Sequence, residues 1–351
     1  MKKIKHIGIV GEGKMGSSIF LFLLGYDFRL TWLCSGSMGK EKAAKQAAKK
    51  INILLKSGIL TDAAFRKKNE ETKITETPGD LADCDLVIEA ISEDLETKKE
   101  FFRNLDLMVG RKCIFTTNSS SINPSMLIPS ESRQERFAGM HFFFPVNLKN
   151  TVELIQGPDT SEETVGILKD FLRLIHKNIF MQDEKHAFIL NRLLLDFQAE
   201  AFNICKDGDI SYRQMDDLVK ERFFPAGVFE FFDHVGIDVM LASIRNYIKN
   251  EPDKSLYLPI VARMKELIKN NELGLKTRKG FYDYELQGRP CDDDEMQNIL
   301  PAGRLGEIEK RLRQRLEGAY RSVLATGCVS AETFDEAVKD YLGTDVDLVR
   351  I

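Results

Sequence analysis

Paired cysteines are missing from this chain. Its six cysteines, Cys34, Cys84, Cys113, Cys205, Cys291 and Cys328, are widely scattered and none forms a Cys-x-x-Cys pair. That spacing argues against a zinc site or a redox dithiol, so no metal ligands are expected. Isolated thiols suit a reducing cytosol, where buried ones act as small apolar side chains, and a cytoplasmic location is expected. Excess positive charge is missing too. The chain has 50 Lys and Arg against 54 Asp and Glu, a formal net charge of -4, so no bulk field attracts nucleic acid. No apolar run approaches the length of a bilayer span, and no membrane partner is expected. Met1 to His6 leads directly into a strand-like run, without the apolar stretch of a signal peptide. What remains is an ordinary globular balance, 43% hydrophobic and 30% charged over 351 residues. That length suits roughly two domains.

The first half alternates short apolar runs with amphipathic stretches. Ile4 to Val10, Phe28 to Cys34, Asp85 to Ala90, Cys113 to Asn118, Phe137 to Phe143, Thr151 to Gln156 and Asn178 to Asp183 read as strands. Ser17 to Leu24, Leu95 to Met108 and Glu162 to Ile175 read as helices. Such alternation implies a parallel sheet covered on both faces. Residues 40–68 are longer and more charged than a simple crossover. They read as a helical hairpin projecting from the sheet and turning near Ser57-Gly58.

After about residue 185 the pattern becomes helical, starting with Phe188 to Asp207. This half contains a partial repeat. Arg192, Leu193, Gly208, Ser211, Asp216 and Val219 recur at one offset as Arg311, Leu312, Gly327, Ser330, Asp335 and Val338. The unit is a helix, a turn with Gly then a Ser N-cap, and a second helix. Lys310 stands where the first copy has Asn191. The expected domains are therefore an α/β unit over 1–185, a helical unit over 186–287 and a truncated second copy over 296–351. Asp292-Asp293-Asp294-Glu295 would be an exposed linker.

The strongest local motif is Gly11-Glu12-Gly13-Lys14-Met15-Gly16, between a strand and a helix. GxGxxG in that context is a dinucleotide-binding, Rossmann-like turn. Gly11 permits the tight turn, Gly13 lets a pyrophosphate approach the backbone, and Gly16 lets the helix pack close. An acid for the adenosine ribose belongs at the end of the second strand, but that strand ends Trp32-Leu33-Cys34-Ser35-Gly36-Ser37. NAD is the expected cofactor. NADP is an alternative, with Ser35, Ser37 and Lys40 as phosphate contacts.

A second cluster is Met140-His141-Phe142-Phe143-Phe144-Pro145. His141 ends a strand where active sites of open α/β sheets lie. Glu153 is on the next strand, and Asn118-Ser119-Ser120-Ser121 follows the strand before. A carboxylate behind an imidazole fixes its tautomer and stabilises the imidazolium, which suits a base near neutral pH.

These segments carry a resemblance. GEGKMG, VIEAISEDLETKKE, TTNSSS, ERFAGMHFFFPV, VELIQG, FILNRLL, FDHVGID and GLKTRKGFYDY resemble, in order, the 3-hydroxyacyl-CoA dehydrogenase family of fatty-acid β-oxidation. The resemblance implies reversible oxidation of an L-3-hydroxyacyl-CoA to the 3-oxoacyl-CoA. It implies His141 as general base, Glu153 as its carboxylate partner, and Asn191 and Ser120 as contacts to the substrate. It further implies Glu93, Lys98, Asn118 and Lys276 as cofactor contacts, beside Gly11, Gly13, Lys14, Met15, Gly16, Ser35 and Ala90. The 40–68 hairpin would cover CoA. Phe144 departs from the family's Asn, and His186-Ala187 from its Pro-Gly. These departures leave two other readings: a dehydrogenase of a free hydroxy acid or carrier-protein thioester, and a cofactor-binding protein without turnover. A homodimer is expected, or a monomer if the second copy covers the dimer surface.

Overall fold

The computed structural model describes residues 3–208, 210–249, 251–285 and 302–343. The acidic run at 292–295 lies outside the described residues. The chain divides into two compact units after Ala187.

In the N-terminal unit the strands are β1 His6–Val10, β2 Arg29–Leu33, β3 Thr72–Thr75, β4 Leu86–Glu89, β5 Ile114–Thr117, β6 Phe137–Phe142, β7 Thr151–Gln156 and β8 Asn178–Asp183. The helices are α1 Lys14–Leu23, α2 Ser37–Lys56, α3 Asp62–Glu71, α4 Leu95–Asp106 and α5 Glu162–Leu174. The strands form one sheet in the order β3-β2-β1-β4-β5-β6-β7-β8. All neighbours are parallel except β6 and β7. The sheet is thus mixed where a parallel one was expected. The reason is the link between Phe142 and Thr151, which is too short to hold the crossover that a parallel pair needs.

Alternation along the strands feeds two cores. Ile7, Ile9, Leu86, Ile88, Ala138 and Met140 face one, with α1, α2 and α5. Val10, Val87, Phe115 and Phe137 face the other, with Phe102 and Leu105 of α4. β3 was not expected from its sequence. Thr-Lys-Ile-Thr is short and polar, as an edge strand pairing only with β2 can be.

The α2–α3 hairpin does turn at Ser57-Gly58, but it does not project freely. Ala43, Ala47, Ile51 and Leu54 recur at helical spacing on α2 and enter the core beside Trp32. From α3, Lys68 gives its ammonium to the carbonyls of Tyr26 and Phe28 at 2.6 and 2.9 Å.

The C-terminal unit is helical among the described residues: α6 Ile189–Lys206, α7 Tyr212–Arg222, α8 Val228–Val235, α9 Ile237–Tyr247, α10 Leu258–Lys269, α11 Ala302–Ala325 and α12 Ala331–Leu342. The pairs α6–α7 and α11–α12 use the same joints. Gly208 and Gly327 take φ of 82° and 68°, values that favour glycine. Ser211 and Ser330 then cap α7 and α12 by accepting the amides of Gln214 and Thr333. α11 lies against α6, where Arg311 and Arg315 both hold the buried carboxylate of Glu200.

Asp216 ties α7 to α8 and to the chain's Gly-Phe-Tyr segment. Its carboxylate accepts the amides of Phe229 and Glu230, each at 2.9 Å, and the Tyr282 hydroxyl at 2.8 Å. Burial outweighs those donors and pushes its carboxyl up to about 6 from 3.8. A folded-state value above the unfolded one stabilises the fold most below the unfolded value, and that contribution is lost as pH rises through the folded value. The stability of the wild type relative to Asp216→Asn, followed by urea unfolding, should therefore be greatest below pH 3.8 and decline up to about pH 6. A difference that grows over that window would contradict the burial cause.

Candidate active site

The glycine motif builds a turn with open space before it. Gly11 has φ of 99° and donates its amide to Leu33 at 3.0 Å, while the Trp32 indole donates to the Gly11 carbonyl at 2.9 Å. A Cβ on Gly16 would collide with that carbonyl, so α1 can approach only with glycine there. A Cβ on Gly13 would meet nothing within 4 Å. No side chain caps α1, whose first residues are Lys14 and Met15. Ala90 closes the other side, its carbonyl 2.6 Å from where a Gly11 Cβ would lie. The free approach to a helix N-terminus fits the pyrophosphate of a dinucleotide. Ser35 does not face a cation: its amide and hydroxyl donate to Glu12. Lys40 lies 3.7 Å from Glu76.

Beyond the turn, the carboxyl ends of β4, β5 and β6 converge on one sheet face, the α4 side. Glu89 ends β4 with no solvent exposure. One oxygen takes the Lys98 ammonium at 2.5 Å and the Ile91 amide at 2.7 Å, and the other takes the Thr117 hydroxyl at 2.7 Å. Lys98 also lies 3.6 Å from Glu93. Glu93 in turn accepts the hydroxyls of Ser119 and Ser121, at 2.5 and 2.8 Å, and the amides of Ser120 and Ser121. The serine run is thereby wound around one carboxylate. Asn118 braces the next strand by accepting the Phe142 amide at 2.8 Å.

His141 sits near the end of β6 on that same face, 6% exposed. The antiparallel register sets it opposite Glu153 of β7. Its Nδ1 lies 2.7 Å from Glu153 Oε2, and Glu153 is fully buried. The other oxygen of Glu153 accepts the Gln182 side-chain amide from β8 at 2.9 Å. An ionised carboxylate only accepts, so the imidazole carries its proton on Nδ1 and presents Nε2 as its basic atom. Phe143 sets its ring edge-on to the imidazole at 4.5 Å, whereas Phe144 is 55% exposed.

Asn191 and Lys276 belong to the other unit. Asn191 donates from Nδ2 to the Tyr247 hydroxyl at 3.1 Å and accepts from the Tyr341 hydroxyl at 2.8 Å. Lys276 is partly exposed and paired with Asp238 at 2.5 Å. Sequence reasoning passed over Glu89, Gln182, Tyr247 and Tyr341. Glu89 and Gln182 did leave a signal, a polar side chain inside an apolar strand. The two tyrosines left none, since their contacts to Asn191 join distant helices. Among the described residues no group of three His, Cys, Asp or Glu could hold a metal, and no helix is long and apolar enough to cross a membrane.

A dinucleotide turn on an open α/β sheet, with a carboxylate-backed histidine at the strands' carboxyl ends, defines a nicotinamide-dependent oxidoreductase. Residues 6–184 match the pattern of the 3-hydroxyacyl-CoA dehydrogenase NAD binding domain, and residues 188–284 match that of the C-terminal domain. The chain belongs to the 3-hydroxyacyl-CoA dehydrogenase family. It is 32% identical to the mitochondrial hydroxyacyl-coenzyme A dehydrogenase of Sus scrofa, over 80% of this chain and 92% of that one. It is also 32% identical to the 3-hydroxybutyryl-CoA dehydrogenase of Clostridioides difficile, over 79% and 99%. The crystal structure of (S)-3-hydroxybutyryl-CoA dehydrogenase PaaH1 from Ralstonia eutropha superposes with a TM-score of 0.71 at 30% identity, over 80% of this chain and 99% of that one. A 3-hydroxybutyryl-CoA dehydrogenase structure from Escherichia coli shares the fold over 97% of this chain and 89% of that one, at 19% identity and a TM-score of 0.77. Acyl-CoA is the substrate class that the family implies.

The buried Lys98 supplies a test of the site's frame. Removing one partner of a buried ion pair leaves an uncompensated charge, at a cost of about 3–5 kcal/mol. Lys98→Met should lower the unfolding free energy by that order in denaturant titration, and Glu89→Gln added to it should recover part of the loss. A Lys98→Met protein as stable as wild type would contradict the pairing.

Proposed function

We propose that the chain catalyses reversible oxidation of an L-3-hydroxyacyl-CoA to the 3-oxoacyl-CoA, with His141 as general base. The observation that carries this reading is the buried Glu153 carboxylate on His141 Nδ1. Nε2 takes the hydroxyl proton as the carbinol carbon loses its hydride, and Glu153 balances the imidazolium that results. Bound NAD supplies the hydride acceptor. Gly11, Gly13, Lys14, Met15, Gly16, Ser35 and Ala90 line its turn, and Glu93, Lys98 and Asn118 shape the loop toward the nicotinamide end. In this reading Lys98 acts through Glu93, since its side chain is 1% exposed. Lys276 is a cofactor contact only after it leaves Asp238.

Ser120 and Asn191 position the hydroxyl and thioester oxygens, and such alignment lowers a barrier without any charge transfer. Two tyrosine hydroxyls take one donor and one acceptor position of the Asn191 amide. Among the described residues nothing else bonds it, so one N–H and one oxygen lone pair remain for substrate. The exposed ring of Phe144 favours a second reading of the substrate, a free hydroxy acid or a carrier-protein thioester, since the family's amide is replaced there. A cofactor-binding protein without turnover is disfavoured by the intact His141–Glu153 pair.

We read α11 and α12 as a second copy of the α6–α7 unit that covers the surface by which shorter relatives would pair. A monomer follows in sedimentation, and a chain truncated near Glu285 should dimerise; identical dimers in both would contradict it. A cytosolic location fits cysteines that are scattered singly along the chain.

Loss of a general base costs about a hundred- to ten-thousand-fold in rate. His141→Ala should lose that much in acetoacetyl-CoA reduction at saturating NADH, and near-full turnover would refute the base. Tyr341→Phe removes one hydrogen bond, so about a two- to tenfold loss in kcat/KM is expected. The same change in an Asn191→Ala background should add nothing, because the tyrosine acts through the amide. Equal losses in both backgrounds would refute that route.

A further inference from the structure

β2 ends without an acid, yet a carboxylate stands at its tip. It comes from Glu12, inside the glycine turn. Glu12 Oε2 accepts the Ser35 amide at 3.1 Å, and Oε1 accepts the Ser35 hydroxyl. The same carboxylate lies against the first turn of α2, where a Cβ on Gly39 would come within 2.6 Å of Oε1. α2 has neither a side-chain cap nor an acid in that turn, so Glu12 meets the partial positive charge of an uncompensated helix end. Glu76, just past β3, adds a second carboxylate and faces Lys40. The Cys34 thiol feels both: burial first, then Glu12 and Glu76, push it up to about 11.

In dinucleotide-binding sheets the acid at the end of the second strand accepts the ribose hydroxyls and repels a 2′-phosphate. We infer that Glu12 stands in for that acid, making the adenosine-ribose end of the site selective for the 2′-hydroxyl of NAD over the 2′-phosphate of NADP. Of the three groups that could receive a phosphate, Ser35 and Lys40 are already engaged. The Ser35 amide and hydroxyl donate to Glu12, and the Lys40 ammonium is countered by Glu76. A 2′-phosphate would meet Glu12 as a like charge, with Ser35 unable to turn toward it unless Glu12 let go. The serine-rich strand end therefore serves to hold an acid rather than to bind an anion.

The chain's single tryptophan gives the readout. Trp32 bonds the Gly11 carbonyl, so its fluorescence reports on the turn. Full-length wild type, Glu12→Gln and Glu12→Ala are titrated with 5′-AMP, 2′,5′-ADP, NADH and NADPH. The two adenosine fragments contain neither nicotinamide nor an acyl group, so the outcome does not depend on the proposed reaction. Wild type should bind AMP more tightly than 2′,5′-ADP by about tenfold or more, as a close like-charge contact requires. Both variants should close most of that gap, chiefly by binding 2′,5′-ADP more tightly, and NADH and NADPH should follow. In wild type alone the gap should narrow as salt rises, because screening weakens the repulsion. This keeps the inference testable even if a variant fails to fold. Equal wild-type affinity for AMP and 2′,5′-ADP, a gap that survives in both variants, or one that widens with salt would overturn it.

Discussion

The hydrogen bond between His141 and Glu153 can form only where three strands agree. A carboxylate shut off from solvent is costly unless donors surround it. Glu153 has donors on both sides, the imidazole from β6 and the Gln182 amide from β8. The antiparallel turn of β7 against β6 creates that arrangement, because it sets residue 153 opposite residue 141. The parallel β7–β8 register then puts Gln182 on the same face. A one-residue slip of β7 would turn Glu153 to the opposite face, leaving the imidazole without its partner. The same solution recurs on β4 of the same sheet, where Glu89 is buried among Lys98, Thr117 and the Ile91 amide. Two buried carboxylates thus hold the histidine directly and, through Lys98, the Glu93 carboxylate around which the serine run winds.

Much of this was legible in the residues. GEGKMG between a strand and a helix announced the turn, because glycine is required there for steric reasons that the structure repeats at Gly11 and Gly16. His141 and Glu153 stood on consecutive strands, and consecutive strands are usually neighbours. The helical hairpin was readable from its length and charge, but it was expected to project, and its docking through Ala43, Ala47, Ile51 and Leu54 is a correction.

Other features were not legible, for reasons that differ. The antiparallel β7 depended on the length of a loop rather than on strand composition. β3 carries too little apolar character to announce itself, since an edge strand is stabilised mainly by its one neighbour. Glu12 looked like a filler position between glycines; only the placement of Ser35 and Gly39 around its carboxylate gives it meaning. Tyr341 reaches Asn191 across 150 residues of sequence, and no local pattern encodes such a contact. What sequence periodicity misses here is side-chain reach between elements, which is set by packing rather than by propensity.

The proposed base role rests on a neutral imidazole whose proton is held on Nδ1 by Glu153. The pH dependence of kcat/KM tests it most directly, measured in both directions with one 3-hydroxyacyl-CoA and its 3-oxoacyl-CoA partner, for wild type and Glu153→Gln. Oxidation should fall about tenfold per pH unit on the acid side, as a single required base demands, while reduction holds there. Glu153→Gln should lose most of the oxidation rate throughout, because an amide cannot balance the imidazolium that forms. A wild-type oxidation rate that stays flat on the acid side, or a Glu153→Gln protein that oxidises as fast as wild type, would contradict the account.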